Sequence, residues 1–414
     1  MQLQQEAGYK DIEGGACAAA GFVANGCHCG LNPNQEKNDL GILYSEQMCN
    51  VAAVFTTNKV QAAPVLVTKK HLKQTGGKAK AVIANSKYAN ACTADGEQIA
   101  EKMCELAAES LGIQPSEVIV ASTGVIGQKL PIQPIAEHIG QLTSNMSAEN
   151  HEKAVNAIMT TDTCKKEAAV EFELNGKLCR LGGMAKGSGM IHPNMATTLN
   201  FVTTDAAVST AMLQKALDEI VKVTYNCLSI DGDTSTNDML CVLANGAAGN
   251  EEISSEGEAF HIFKKALYLV LANLTKMLAA DGEGASKLLE CTCEGAPDLD
   301  TAIAIAKSVI HSPLVKSAMF GRDANCGRIL CAAGYADAQF DVHKIDVELA
   351  SEKGTVLVCQ NGLGLEFSEE KAVDILSEDE IHINLNLNQG TVSAKAWGCD
   401  LTYDYVKINA DYRS

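Results

Sequence analysis

Basic charge is scarce in this sequence. Its 33 lysines and arginines stand against 51 aspartates and glutamates, a net charge of -18. Such a surface repels phosphate backbones, which argues against a nucleic-acid partner; the acidity itself is read as a solubility feature. Long apolar runs are missing too. The most apolar late segment, ALYLVLANL (266–274), falls well short of the roughly 20 residues that cross a bilayer. The opening MQLQQEAGYKDIEGG lacks a basic start followed by an apolar stretch, so no secretory signal is expected and a cytoplasmic protein is the default, with no membrane partner. No C-x-x-C pair occurs among the 16 cysteines. Cys27-His28-Cys29 and Cys291-Thr292-Cys293 have C-x-C spacing without a matching second pair. Zinc is therefore poorly supported, and most of the thiols are expected to be small buried hydrophobes. Internal repeats and low-complexity linkers are also absent.

What is present suits a globular chain of two or three domains: 414 residues, 46% hydrophobic and 20% charged. Helix and strand signals alternate. Residues 97–111 read as a helix with Ile99, Met103 and Leu106 on one face, Asp95 ahead of it and Gly112 after it. Val118 to Ala121 and Leu199 to Thr203 read as short buried strands. Leu213, Leu217, Ile220, Val221 and Thr224 share a helix face. The longest helix is expected over 257–280, stopped by Asp281-Gly282; another spans 298–310, capped by Asp298 or Asp300. Ile381 to Leu387 and Thr391 to Ala396 carry strand signals, and EEISSEGE (251–258) reads as an exposed loop. The expectation is a layered, mixed α/β architecture. A boundary near residue 285 would separate a main region, 1–285, from a smaller α/β domain, 286–414.

The densest signal is GGMAKGSGMIHPNMATTLNFVTTDA (182–206). Gly182 and Gly187 have the gap of a phosphate loop, but Ser188 stands where that loop needs lysine, which excludes nucleotide binding here. The Thr-Thr pair points elsewhere. A threonine hydroxyl is a poor nucleophile without an adjacent base, and a cut just before a threonine creates one, its own α-amine. An α-amino pKa of about 7.7–8.0 suits general-base work. Gly182, Gly183, Gly187, Gly189 and Pro193 could shape the taut turn in which the hydroxyl attacks the preceding carbonyl. Acyl chemistry also needs oxyanion donors, and Thr123-Gly124, at the end of an expected strand, could offer a hydroxyl and backbone N–H groups. On the residues alone, an ordinary Gly-rich loop and an ordinary strand-end turn remain open.

Further segments extend the pattern: GGACAAAGFVANG (14–26), VAAVFTTNKVQAAPV (51–65), ANSKYANACTADG (84–96), STGVIGQKLP (122–131), MTTDT (159–163), KGSGMIHPNMATTL (186–199), DGDTSTND (231–238), DGEGASK (281–287), GRDANCGRILCAAGYA (321–336) and AWGCDLTYDYVKINADYRS (396–414). In this order, from about residue 13 to the last, they resemble the ornithine acetyltransferase family, the bifunctional glutamate N-acetyltransferases of arginine biosynthesis. The resemblance implies a self-cleaving, N-terminal-nucleophile-like acyltransferase. The cut falls between Ala196 and Thr197, giving an α chain 1–196 and a β chain 197–414 that associate as two of each. It makes Thr197 the nucleophile and Thr123 and Gly124 the oxyanion hole. Thr160, Lys186, Thr197, Glu283, Asn409 and Ser414 line the substrate site, and Thr198 is structural. The implied reaction passes an acetyl group from N2-acetyl-L-ornithine to Thr197 and on to L-glutamate. Acetyl-CoA is an additional donor in bifunctional members, and no metal or bound cofactor takes part.

Lys186 is suited to the substrate carboxylate and Glu283 to its ammonium. Four positions depart from the family pattern: Lys87 and Tyr88 where small residues are usual, His192 where a smaller one is, and Cys326 in place of tryptophan. Ser414 keeps the hydroxyl of the usual terminal threonine. His192 is expected to be merely accommodated. Two alternatives stand beside this reading: a self-cleaving aminopeptidase or amidase, and an uncleaved non-enzymatic homologue.

Overall fold

Two β-sheets share one helix as their common filling. The computed structural model describes residues 4–192 and 198–411. In chain order the strands begin with Lys10–Asp11 (β1), Phe22–Cys27 (β2), Leu40–Phe55 (β3), Lys78–Asn85 (β4), Val118–Ser122 (β5), Lys166–Leu174 (β6), Lys177–Lys186 (β7) and Leu199–Thr204 (β8). Leu228–Ser229 (β9) and Met239–Ala244 (β10) follow, then Leu288–Ala296 (β11), Asp346–Ser351 (β12), Gly354–Gln360 (β13), Leu363–Gly364 (β14), Glu380–Asn386 (β15) and Val392–Cys399 (β16). The first sheet has the order β1-β6-β7-β8-β10-β3-β4-β5, with β2 paired to β3. The second runs β14-β13-β12-β15-β11-β16-β9. Pairing is antiparallel except for β8 with β10, β4 with β5, β11 with β15 and β16 with β9. The fold is thus the layered, mixed α/β arrangement expected. The two-residue β9, from the first two-thirds of the chain, forms an edge of the second sheet.

Strand alternation explains why the central strands are apolar on both sides. In β10, Leu240 and Val242 face one core while Met239, Cys241 and Leu243 face another. The helix Glu258–Ala280 lies between the sheets, packing on β6 and β7 of the first and β11 and β16 of the second. A helix walled in on two sides must be apolar around most of its circumference. Phe263, Leu267, Val270, Leu271, Leu274 and Leu278 are all buried. Its buried Asn273 receives the Gln4 N–H and donates to the Gln4 carbonyl, pinning the start of the described chain.

Most expected elements lie where the periodicity put them. The helices are Gly96–Leu111, Thr210–Val223, Glu258–Ala280 and Leu299–His311. Gly112 closes the first with a left-handed φ of 68°, and Asp298, not Asp300, caps the last by accepting the Thr301 N–H at 2.8 Å. The acidic segment 251–258 is exposed except at Ile253, which is buried and bridges to Val208. Twelve of the 16 cysteines are buried. Burial raises Cys104 and Cys241 well above a thiol's ordinary range. Among the described residues no cluster of metal-ligating side chains occurs, and no helix is long and apolar enough to cross a membrane.

Phe263 is fully buried at the inter-sheet helix. Phe263→Ala should therefore lower unfolding free energy by about 3–5 kcal/mol in urea titrations, by transfer cost plus the cavity left between the sheets.

Candidate active site

Strand register assembles the site. Lys186 ends β7, Thr198 immediately precedes β8, and Asp238 immediately precedes β10. Leu199 pairs with Lys186 on one side and Met239 on the other. Three residues distant in sequence therefore come side by side at one edge of the first sheet. The loop after β5 joins them through Asn237, whose side-chain amide donates to the carbonyls of Ala89 (2.6 Å) and Ser122 (2.8 Å).

Between these elements lies a cavity of about 240 Å³. Of the residues expected from sequence, Thr123, Gly124, Thr160, Lys186, Glu283 and Asn409 all line it. Ala196, Thr197 and Ser414 lie outside the described residues. Thr198 is in the wall.

Each lining group has a local cause for its position. Gly124 has φ +130°, and a Cβ there would stand 2.2 Å from the Lys87 carbonyl carbon; only glycine lets the two loops touch. Lys87 itself takes a left-handed φ of 72°, so this departure from the family pattern carries the strain that a glycine would avoid. Lys186 is buried, and its ammonium donates to Thr123 Oγ1 at 3.3 Å. Burial lowers its pKa, against the opposing pull of Asp162, Asp238 and Glu283. Glu283 follows the inter-sheet helix. Its N–H donates to the Ser188 carbonyl (2.9 Å), and its carboxylate accepts from the Asn409 amide (2.8 Å). Asn409 sits on the helix Tyr403–Ala410, and Thr402, just before that helix, donates to the Gly284 carbonyl at 2.5 Å. The described part of the C-terminal tail therefore docks at the cavity.

A buried charge network supports this arrangement. Asp162 accepts from Lys166 Nζ (2.7 Å), the Gly187 N–H (2.7 Å) and the Thr160 N–H (3.0 Å). Lys166 also donates to Asp281 at 2.5 Å. Burial would push Asp162 up, but Lys186 and Lys166 hold it down at about 2. Burial likewise opposes the charge on Lys166, and its two carboxylates outweigh that and raise it. Asp162 thus ties Thr160 to the Gly-rich stretch after Lys186.

The segment DGDTSTND brackets residues 193–197. Upstream, Asp231 accepts the N–H groups of Met190 (2.6 Å) and Ile191 (2.9 Å), and Thr234 Oγ1 donates to the His192 carbonyl (2.8 Å). Downstream, Asp238 Oδ1 accepts the Thr198 N–H at 2.8 Å. Thr198 has φ +104°, a strained conformation for a β-branched residue. Its hydroxyl accepts from Asn200, which in turn receives the Tyr225 hydroxyl at 2.8 Å, so it is engaged in the core. His192 is more than accommodated: its Nδ1 lies 2.9 Å from Ser229 Oγ, and its ring faces His311 at 4.6 Å. Burial first, then Lys307 and His311, lowers it to about 4, so it is neutral at pH 7. Cys326, another departure, begins the helix Cys326–Gly334 away from the cavity lining.

Sequence reasoning singled out MTTDT and DGDTSTND but assigned no task to Asp162, Asp231 or Asp238. The available signal was an aspartate in a Thr- and Gly-rich stretch, a ready acceptor for neighbouring backbone N–H groups.

A polar, partly buried pocket with one cation and two carboxylates on its wall has the makeup of a site for a small charged molecule. The chain belongs to the ArgJ family, whose model matches residues 23–414. It is 51% identical to the arginine biosynthesis bifunctional protein ArgJ 1 of Clostridium acetobutylicum over 394 residues, 95% of this chain and 96% of that one. Identity to the arginine biosynthesis bifunctional protein ArgJ of Caldanaerobacter subterraneus subsp. tengcongensis is 48%, over 95% of this chain and 97% of that one. Among solved structures, the arginine biosynthesis bifunctional protein ArgJ of Bacillus halodurans is 45% identical, covering 51% of this chain and 97% of that chain with a TM-score of 0.49.

Two substitutions test the geometry. Gly124→Ala must push the loop away from Lys87 and, by misplacing one wall of the cavity, should cut kcat by about a hundredfold, read in steady-state kinetics. Asp162→Asn should cost about 3–5 kcal/mol at pH 7, because it removes one of the two carboxylates that balance the buried Lys166 charge. The folded-state carboxyl lies below its ordinary value of about 3.9. Its stabilisation is therefore full above that value and fades as pH falls toward about 2. The gap between wild type and Asp162→Asn in urea unfolding should narrow over the same range.

Proposed function

We propose that this protein is a glutamate N-acetyltransferase of L-arginine biosynthesis that carries the acetyl group as an ester on Thr197. The observation that carries the reading is convergence: Thr123, Gly124, Thr160, Lys186, Glu283 and Asn409 all line one cavity, whose wall includes the residue next to Thr197. The names of the curated relatives supply the pathway.

In this reading the chain cuts itself between Ala196 and Thr197, and the α-amine released on Thr197 serves as base for its own hydroxyl. The hydroxyl attacks the acetyl carbonyl of N2-acetyl-L-ornithine. Thr123 and the Gly124 N–H stabilise the tetrahedral oxyanion, and Lys186, 3.3 Å from Thr123 Oγ1, adds positive charge beside it. Ornithine leaves, L-glutamate attacks the acetyl-Thr197 ester, and N-acetyl-L-glutamate departs. Lys186 faces the substrate carboxylate and Glu283 its ammonium; Asn409 orients Glu283, and Ser414 completes the site. The relatives' description as bifunctional supports acetyl-CoA as a second donor, consumed rather than bound as a cofactor, and no metal is required.

The same reading takes residues 1–285 and 286–414 as two regions. It makes 1–196 and 197–414 the mature chains, assembled as two of each in the cytoplasm, with no nucleic-acid or membrane partner.

Wild-type protein should run as two bands of roughly equal size on a denaturing gel and acetylate glutamate with acetylornithine and with acetyl-CoA as donors. Thr197→Ala should run as a single full-length band and transfer nothing from either donor. An active wild-type preparation consisting of one unbroken chain would refute the mechanism, and hydrolysis without transfer to glutamate would point to an amidase.

A further inference from the structure

Asp238, in the cavity wall, keeps one carboxylate oxygen buried without a hydrogen-bond partner among the described residues. It is 2% exposed. Oδ1 holds the Thr198 N–H at 2.8 Å, while Oδ2 is buried with no hydrogen-bond partner among the described residues. A buried, unsatisfied carboxylate oxygen is costly and calls for an explanation. The tether is to the peptide N–H that directly follows Thr197, so the carboxyl group is anchored one peptide unit from the proposed cut. The same residue, Thr198, carries the strained φ of 104°.

We propose that Asp238 is the positioning and proton-exchange residue for Thr197 when the chain cuts itself. The inference rests on the self-cleaving reading above. The hydroxyl oxygen of Thr197 forms a bond to the Ala196 carbonyl carbon, and its proton passes to Asp238 Oδ2. The bond between that carbon and the Thr197 nitrogen then breaks, and Asp238 returns the proton to the departing nitrogen. This leaves an ester between Ala196 and the Thr197 side chain. Water hydrolyses the ester, giving the Ala196 carboxylate and the free Thr197 hydroxyl. Asp238 ends in the state in which it began, and water is the only co-reactant.

The surroundings suit a group that must both take and give a proton. Burial pushes Asp238 up to about 7, against the lowering effect of the Thr198 N–H, Ser235 and Lys186. Lys186 comes from the end of β7, Ser235 from its own segment, the Thr198 N–H from the start of β8, and Glu283 shares the cavity wall from the loop after the inter-sheet helix. A carboxyl group that is half ionised near neutral pH serves in both directions.

The test follows conversion of freshly translated full-length chain into its two fragments, by denaturing gel, from pH 5 to pH 9. Only the carboxylate accepts the hydroxyl proton. The wild-type rate should therefore rise about tenfold per pH unit at low pH and level off above about 7. Asp238→Asn keeps shape and a hydrogen-bond acceptor; it should cut at least a hundredfold more slowly and lose that midpoint. Formate added to Asp238→Ala should restore cutting in proportion to its concentration, whereas formamide should not. Asp238→Asn cutting at the wild-type rate with the wild-type pH curve overturns the proposal. Should Asp238→Asn fail to fold, Asp238→Glu decides: a shifted midpoint supports the proposal, and an unshifted one overturns it. If wild-type chain and Thr197→Ala alike stay uncut, the self-cleaving reading itself is at fault. If the wild type cuts and the Asp238 variants match it, this inference alone fails.

Discussion

The parallel pairing of β8 with β10 is the constraint on which the site depends. A strand pair fixes neighbours by register, and slipping it by one residue would turn every side chain to the opposite face. With Leu199 opposite Met239, and Lys186 opposite Leu199 across β7, the residues at the strand ends have no freedom to part. Thr198 must meet Asp238, and both must meet Lys186. Parallel neighbours need a crossover connection. Here the chain between β8 and β10 includes the helix Thr210–Val223 and the DGDTSTND segment, which returns to clamp residues on both sides of 193–197.

That register brings several charges into a buried space, and such groups are tolerated only when paired and hydrogen-bonded. Asp162, Lys166 and Asp281 satisfy one another and the backbone N–H groups of Thr160, Thr163 and Gly187. The network joins the end of one helix, the Gly-rich stretch and the loop after the inter-sheet helix. Its energetic role is to avoid the penalty of unpaired charge, and its structural role is to hold three loops at fixed spacing. The half-satisfied carboxyl group of Asp238 stands out against that background, because the same low-polarity surroundings that strengthen a completed network penalise an incomplete one.

Strain accompanies the clamp. Thr198 at φ 104° and Lys87 at φ 72° are both non-glycine residues in conformations that glycine would adopt more cheaply. Each lies against a loop of the site: Thr198 next to residues 193–197, Lys87 against Gly124. Neither strained turn could persist in an isolated peptide. They are held by hydrogen bonds with elements far away in sequence: the Thr198 N–H donates to Asp238, and the Val125 N–H donates to the Lys87 carbonyl.

Periodicity and punctuation were enough to locate most elements, because local sequence governs where a helix starts, which face it buries and where a glycine stops it. Gly112 and Asp298 did their expected work, and the long helix over 257–280 shifted by only one residue. The resemblance of ten short motifs likewise named six residues that do meet at one cavity. Four readings did not come from sequence: the burial of Ile253 in an otherwise exposed loop, the hydrogen bond of His192, the bracketing by Asp231 and Asp238, and the inter-sheet position of the long helix. Each depends on a partner distant in the chain, and an aspartate's letter does not reveal which N–H it will meet. Sequence by itself determined the elements, their apolar faces and the chemical types available. Tertiary structure alone decided which charges would be buried together, because desolvation and pairing exist only once strand register has brought remote residues to the same few ångströms.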